Sequence, residues 1–170
     1  MLGVDLGLNV GSVTRVKKRN GKWVPTWHLV FKFTRERSIE NEYDRILAIA
    51  ERYFREIQHK AIPTGEIVYI EEPIFSWGRK NPKGFAKAVI LLACIIFSMR
   101  ASGIRYKLVN NKSAKKIAGY GGKDKAAMIK AFKKMTGMEP GHSTQYGKET
   151  LADSFFIALA GHYGLRKSSS

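Results

Sequence analysis

Gly3-Val4-Asp5-Leu6-Gly7 ends the first apolar run of the chain on a carboxylate, with a glycine close behind. An apolar strand that finishes this way sets an acid at the edge of a sheet. The glycine lets the backbone turn without a Cβ clash and leaves open space in front of the acid. Working outward, residues 12–18 alternate roughly, with Val13, Arg15 and Lys17 against Ser12, Thr14 and Val16. Asn20-Gly21 is a strong hairpin signal, and residues 23–33 return as a third strand with Pro25 at an irregular start.

Downstream, residues 38–58 read as a helix with Ser38 as N-cap and Glu40 and Glu42 in the first turn, where the macrodipole favours acids. Its apolar face is Tyr43, Ile46, Leu47, Ile49, Ala50, Tyr53 and Phe54. Residues 66–71 form a nearly continuous apolar strand, as expected for a central position, and Pro73 ends it. Residues 85–99 predict a helix that is apolar almost all round, so one face serves the core and the other a subunit interface. A fifth strand over 106–109 follows, then basic helical pieces over 112–117 and 124–135 around Gly119-Tyr120-Gly121-Gly122. A closing helix spans 149–163, and 165–170 reads as a frayed tail. The order predicts an α/β domain over residues 1–164, a five-stranded mixed sheet with helices on both faces.

At 170 residues and 44% hydrophobic, the chain suffices for one domain with a substantial core, and its 26% charged residues are ordinary. The imbalance is not: 30 Lys and Arg stand against 14 Asp and Glu, a net charge of +16. A generally basic surface, such as that of a ribosome-associated protein, is the plain reading; a binder of phosphate backbones is the sharper one. Cys94 is the only cysteine, which excludes an intramolecular disulfide and a cysteine zinc cluster and suits an inert buried thiol. No leader precedes the first strand, and the apolar run 88–97 is half of what a bilayer needs, so an intracellular, cytoplasmic protein is expected.

Two further acidic segments match Asp5. Ile70-Glu71-Glu72-Pro73 closes the fourth strand, and if that strand neighbours the first, both carboxylates leave the sheet at one rim. In Glu149-Thr150-Leu151-Ala152-Asp153 the acids stand at i and i+4, on one face of the last helix. Asp5, Glu71, Glu149 and Asp153 together make the oxygen-donor set that Mg²⁺ prefers. Two such ions about 4 Å apart activate water and stabilise the leaving oxygen in phosphodiester hydrolysis. Each acid alone has a plainer reading, as turn residue, solvated strand end or acid near a helix N-terminus. Their joint placement in a basic chain points to a metal-dependent nuclease.

These motifs resemble the RuvC-type Holliday junction resolvases of the RNase H-like superfamily, especially short phage members. Gly3-Val4-Asp5-Leu6-Gly7 is similar to the family's first-strand motif with its metal-binding Asp. Tyr69-Ile70-Glu71 is similar to the fourth-strand motif, which favours Glu71 over Glu72. Ala152-Asp153-Ser154-Phe155-Phe156-Ile157-Ala158-Leu159-Ala160 resembles the last helix, whose Asp completes the site. Residues 115–125, with Gly119, Gly121 and Lys125, resemble the family's Gly-x-Gly segment and following lysine. The resemblance runs from residue 1 to about 162. It implies an RNase H-like fold and a homodimer that cleaves Holliday junctions or branched DNA with Mg²⁺, Mn²⁺ substituting, encoded by a phage in a bacterial host. The chain departs from the pattern three residues before the final Asp, where the family carries an acid or a His and this chain has Thr150. Glu149, Thr150 through water, and His142 are the candidates for the fourth ligand.

Nucleic acid contacts are expected from Phe75, Trp77, Arg79 and Lys80, on a loop beside the Glu71 strand, by stacking and phosphate binding. By resemblance, Phe75 enters the junction centre; packing of Phe75 and Trp77 beneath the loop is the equal alternative. Lys115, Lys116, Lys123 and Lys125 flank glycines whose backbone can approach phosphates closely. Two other readings stand beside the resolvase: an RNase H-like nuclease acting on another substrate such as an RNA/DNA hybrid, and a non-catalytic nucleic-acid-binding protein. A basic RNA-binding structural protein ranks behind both.

Overall fold

A computed structural model describes residues 1–33, 41–73, 82–119 and 125–167, without the side chains of Lys125 and residues 165–167. Five strands, β1 (Leu2–Asp5), β2 (Val10–Arg19), β3 (Lys22–Lys32), β4 (Val68–Glu71) and β5 (Tyr106–Val109), form one sheet in the order β3-β2-β1-β4-β5. The β1–β2 and β2–β3 pairs are antiparallel, whereas β1–β4 and β4–β5 are parallel. The hairpin turn is the expected one: Asn20 and Gly21 both have positive φ, 48° and 77°, which a two-residue turn of the favoured hand requires. Pairing slips between Arg15, opposite Trp27, and Val16, opposite Pro25, so Thr26 is the extra residue of a bulge. That bulge is the irregularity read from Pro25, a residue unable to donate to the ladder.

The helices are α1 (Glu42–Ala61), α2 (Pro82–Ala101), α3 (Asn111–Ile117), α4 (Lys125–Thr136) and α5 (Gln145–Lys167). On one face of the sheet, Leu2, Val4, Val13, Phe31, Val68 and Ile70 share a core with Ile46, Tyr53 and Ile57 of α1 and Leu91, Ile95 and Met99 of α2. On the other face, Val16, Tyr69 and Val109 pack with Phe132 of α4 and Phe155, Phe156 and Leu159 of α5. Each fully buried side chain of this size contributes about 1.5–3 kcal/mol, against about 0–1 for an exposed ion pair, so these two layers hold the domain. The α/β architecture, a five-stranded mixed sheet with helices on both faces, agrees with the sequence reading.

Three helices differ in extent from expectation. Helix α1 starts at Glu42, not at Ser38: Asn41 is extended (φ −95°, ψ 126°) and its side chain accepts the Tyr43 N–H at 2.9 Å. Asn caps as well as Ser, and Asn41 stands directly before the buried stripe. Ser38 itself lies outside the described residues. Helix α5 starts four residues before Glu149 because Thr144 caps it, its Oγ1 accepting the Gly147 N–H at 3.1 Å. It also runs to Lys167, so helix replaces the expected frayed tail over 165–167. Helix α2 has 20 residues and, by length and composition, is apolar enough to cross a membrane; counting ten residues understated it. Leu91, Leu92, Ile95 and Met99 are nevertheless buried against the domain, while Phe97 is 76% exposed.

Candidate active site

Parallel pairing sets Leu2, Gly3 and Val4 of β1 beside Val68, Tyr69 and Ile70 of β4. One more step along that register brings Asp5 level with Glu71 at the carboxyl rim of the two central strands. Side chains alternate along a strand. Leu2 and Val4, like Val68 and Ile70, belong to the core beneath α1 and α2. Asp5 and Glu71 therefore share the opposite face, towards α5. Glu72, in the alternate phase with Ile70, is exposed.

Helix α5 lies unusually close over this rim. A Cβ added to Gly3 would stand 1.9 Å from the Ser154 carbonyl oxygen and 2.8 Å from the Ala158 nitrogen. Two buried polar contacts fix the helix lengthwise. Ser12, paired with Asp5, donates to the Thr150 carbonyl at 2.7 Å. Thr14, paired with Gly3, meets the Ser154 hydroxyl at 2.6 Å. Ser154 gives its one hydrogen to the Leu151 carbonyl, so Thr14 is the donor. Asp153 sits half-buried beside Ser154, three residues past Thr150. It occupies the third turn of α5, and Glu149 the second, away from the helix N-terminus. The contacts that set α5 on the sheet thus also set Asp153 relative to Asp5.

The turn after Asp5 is held from the far side of the sheet. Tyr53, fully buried on α1, accepts the Gly7 N–H at 3.1 Å and shares its hydrogen between the carbonyls of Asp5 and Gly7, each 3.3 Å away. Gly11 makes room: a Cβ there would meet the Tyr53 oxygen at 1.7 Å. Burial pushes the phenol well above its ordinary value, the Gly7 amide opposing and the Asp5 and Tyr146 charges adding to the rise. The hydroxyl stays protonated and keeps its hydrogen to donate.

Other contacts bear on the expected ligands. Asn111, the first residue of α3, donates from Nδ2 to Glu71 Oε1. Gln145 donates to Glu149 Oε1 at 3.2 Å, one helical turn away. Thr150 is buried against the sheet and its hydroxyl donates to the Tyr146 carbonyl at 3.0 Å. His142 Nδ1 accepts the Thr144 N–H at 3.1 Å, just before the start of α5. Among the described residues no three His, Cys, Asp or Glu side chains are gathered closely enough to hold a metal ion. The rim brings the backbone of Asp5 and Glu71 together beneath α5, while the Glu71 and Glu149 side chains accept from Asn111 and Gln145.

Of the expected DNA contacts, Lys115 is half-buried and Lys116 exposed on α3, which follows the β5 edge strand. Phe75, Trp77, Arg79, Lys80 and Lys123 lie outside the described residues, as does the Lys125 side chain. Sequence reasoning missed Tyr53, Asn111, Ser12, Thr14 and Ser154. Ser12 and Thr14 carried a signal: two hydroxyls in phase with apolar Val16, against a face bearing Arg15 and Lys17, lie on the buried side and need partners there. Tyr53 carried none, since it reads as one more apolar residue at helical spacing.

No family model matches the sequence, and no curated protein matches it significantly. Solved structures do. The chain is similar to RuvC of Thermus thermophilus, with a TM-score of 0.69 at 18% identity over 96% of this chain and 95% of that one. It is similar to T. thermophilus RuvC in complex with a Holliday junction substrate, with a TM-score of 0.71 at 17% identity over 98% and 94% of the two chains. The yeast mitochondrial Holliday junction resolvase Ydc2 matches with a TM-score of 0.65 at 16% identity, over 95% of this chain and 80% of that one. The fold of this chain, nearly end to end, is the fold of these resolvases.

Proposed function

We propose that the chain is a divalent-metal-dependent endonuclease that hydrolyses phosphodiesters in Holliday junctions or other branched DNA. The observation that carries this reading is the rim itself. Parallel β1 and β4 end on Asp5 and Glu71, facing the helix that bears Asp153, in a fold shared with a resolvase solved on its junction substrate. The donors are all carboxylate oxygens, which fit Mg²⁺ or Mn²⁺ and disfavour softer ions. Asp5, Glu71 and Asp153 would hold the cation, with Glu149 as fourth partner. Gathering them draws the Glu71 and Glu149 side chains away from Asn111 and Gln145, because like charges do not assemble without a cation to neutralise them.

Bound there, the cation supplies charge stabilisation at the scissile phosphate and a lowered pKa for the attacking water. The protein's own part is to hold the carboxylates at the rim and to fix the register of α5 through Ser12 and Thr14. Lys115 and Lys116 neutralise backbone phosphates, joined in this proposal by Phe75, Trp77, Arg79, Lys80, Lys123 and Lys125. With about six to ten phosphate contacts, affinity falls about 10³- to 10⁵-fold between about 50 and 200 mM salt. The exposed stripe Ala86, Val89, Ala93 and Phe97 of α2 pairs with a second copy about a two-fold axis, giving two sites for paired nicks. We assign the protein to the cytoplasm of a cell, a phage-infected bacterium by the resemblance.

A non-catalytic DNA-binding role has one observation in its favour, the lack of a gathered metal-ligand group among the described residues. Incubation with a labelled four-way junction, a linear duplex and an RNA/DNA hybrid, each with and without Mg²⁺, separates the readings. Metal-dependent cuts confined to the junction support the proposal. Cuts confined to the hybrid move the assignment to another RNase H-like nuclease, and binding without cuts in either metal removes the enzyme.

A further inference from the structure

We infer that Tyr53 is a positioning residue for the metal site, acting on Asp5 through the backbone of the turn. The inference rests on the reading of Asp5 as a metal ligand. Asp5 is the last residue of β1, so its carboxylate direction depends on where the chain goes next. Tyr53 binds both ends of the Asp5–Leu6–Gly7 turn with one oxygen: the Asp5 and Gly7 carbonyls and the Gly7 N–H all meet it within 3.3 Å. The ring cannot swing away, being fully buried with centroids 4.4 Å from Phe31 and 5.4 Å from Phe33. The oxygen fits only because Gly11 presents no Cβ to it.

The same helix holds the next part of the turn. Arg45, two turns earlier on α1, donates to the Leu8 carbonyl and to Asn9 Oδ1, both at 2.9 Å. Its guanidinium also pairs with Glu42, which pairs with Lys87 of α2. The loop from Asp5 to Val10 is thus anchored to α1 at Gly7, Leu8 and Asn9. Of these anchors, Tyr53 alone reaches the main chain of the ligand itself. A side chain that served only the core would do as well as phenylalanine.

Tyr53→Phe deletes the oxygen and keeps the ring stack. The expected result is a rise of about three- to ten-fold in the Mn²⁺ concentration for half-saturation, read by calorimetry on the protein without DNA. Cleavage should show a lower kcat with an unchanged KM for the junction. Ile57→Val is the control, trimming a fully buried residue one turn along α1 whose aliphatic side chain makes no hydrogen bond to the turn. It should lower the melting temperature without moving Mn²⁺ half-saturation. Equal half-saturation in Tyr53→Phe and wild type overturns the inference, and so does an equal shift in both variants. Failure of the wild type to bind Mn²⁺ overturns the site reading and this inference with it.

Discussion

Gly3→Ala places one methyl group between the central strand and the helix that carries Asp153. The added Cβ would lie 1.9 Å from the Ser154 oxygen, 2.8 Å from the Ala158 nitrogen and 2.9 Å from the Ala158 Cβ. Two of these are main-chain atoms of α5, and β1 is bonded to β2 and β4 on either side, so no flexible tip can give way. The helix must retreat by about 1 Å or more, which parts Ser12 from Thr150 and Thr14 from Ser154. Overpacking of this kind costs about 1–3 kcal/mol. Each lost buried hydrogen bond adds about 1 kcal/mol. The total is about 3–5 kcal/mol, a fall in melting temperature on the order of 10 °C for a domain of this size. Calorimetric unfolding measures it directly. Because Asp153 travels with α5, Mn²⁺ half-saturation should also rise in the folded variant. A melting temperature within about 2 °C of wild type would refute the close-packing argument.

Three further outcomes are expected. A double-mutant cycle of Thr14→Val and Ser154→Ala should show a coupling of about 1 kcal/mol in denaturant unfolding, since Ser154 keeps its bond to Leu151 when Thr14 is lost; strict additivity would count against the link. Burial alone would raise the pKa of Glu66, but the Met1 ammonium and the Arg15 guanidinium, 3.1 and 2.9 Å away, hold it below the ordinary range. A carboxyl lowered in the folded state stabilises above its unfolded pKa, about 4.3, and loses that contribution as pH falls through the folded value. Glu66→Gln should therefore flatten the acid limb of the stability curve there and leave its slope near neutral pH unchanged. Phe97→Glu should turn a dimer into a monomer by sedimentation velocity while the melting temperature of the folded unit holds; an unchanged dimer would move the interface away from α2.

Much of the fold was legible because the signals were local. Asn20-Gly21 can hardly be anything but a tight hairpin turn, and the four apolar residues before Glu71 suit a strand buried on both faces. Element ends were less legible, since Ser38 and Asn41 are equally good caps and only packing of the Ile46 stripe chooses between them. The rim was half legible: strand-end acids could be read, but that β1 and β4 are neighbours is a non-local fact of topology. The supports of the rim were hidden. Tyr53 acts through a hydroxyl that a helical apolar pattern discounts, and Asn111 acts on an acid 40 residues away. His142, a candidate only from its place in the loop before the last helix, gave no sign of its hydrogen bond to Thr144 beside the start of α5.

Mn²⁺ titration by electron paramagnetic resonance on wild type, Asp5→Asn, Glu71→Gln and Asp153→Asn tests the convergence of these acids most directly. If the three share one cation, each single change should weaken the same binding event by about ten-fold or more, and all three should abolish cleavage of a four-way junction that the variants still bind. Unchanged Mn²⁺ affinity in any one of the three, with junction cleavage intact, would contradict a common site.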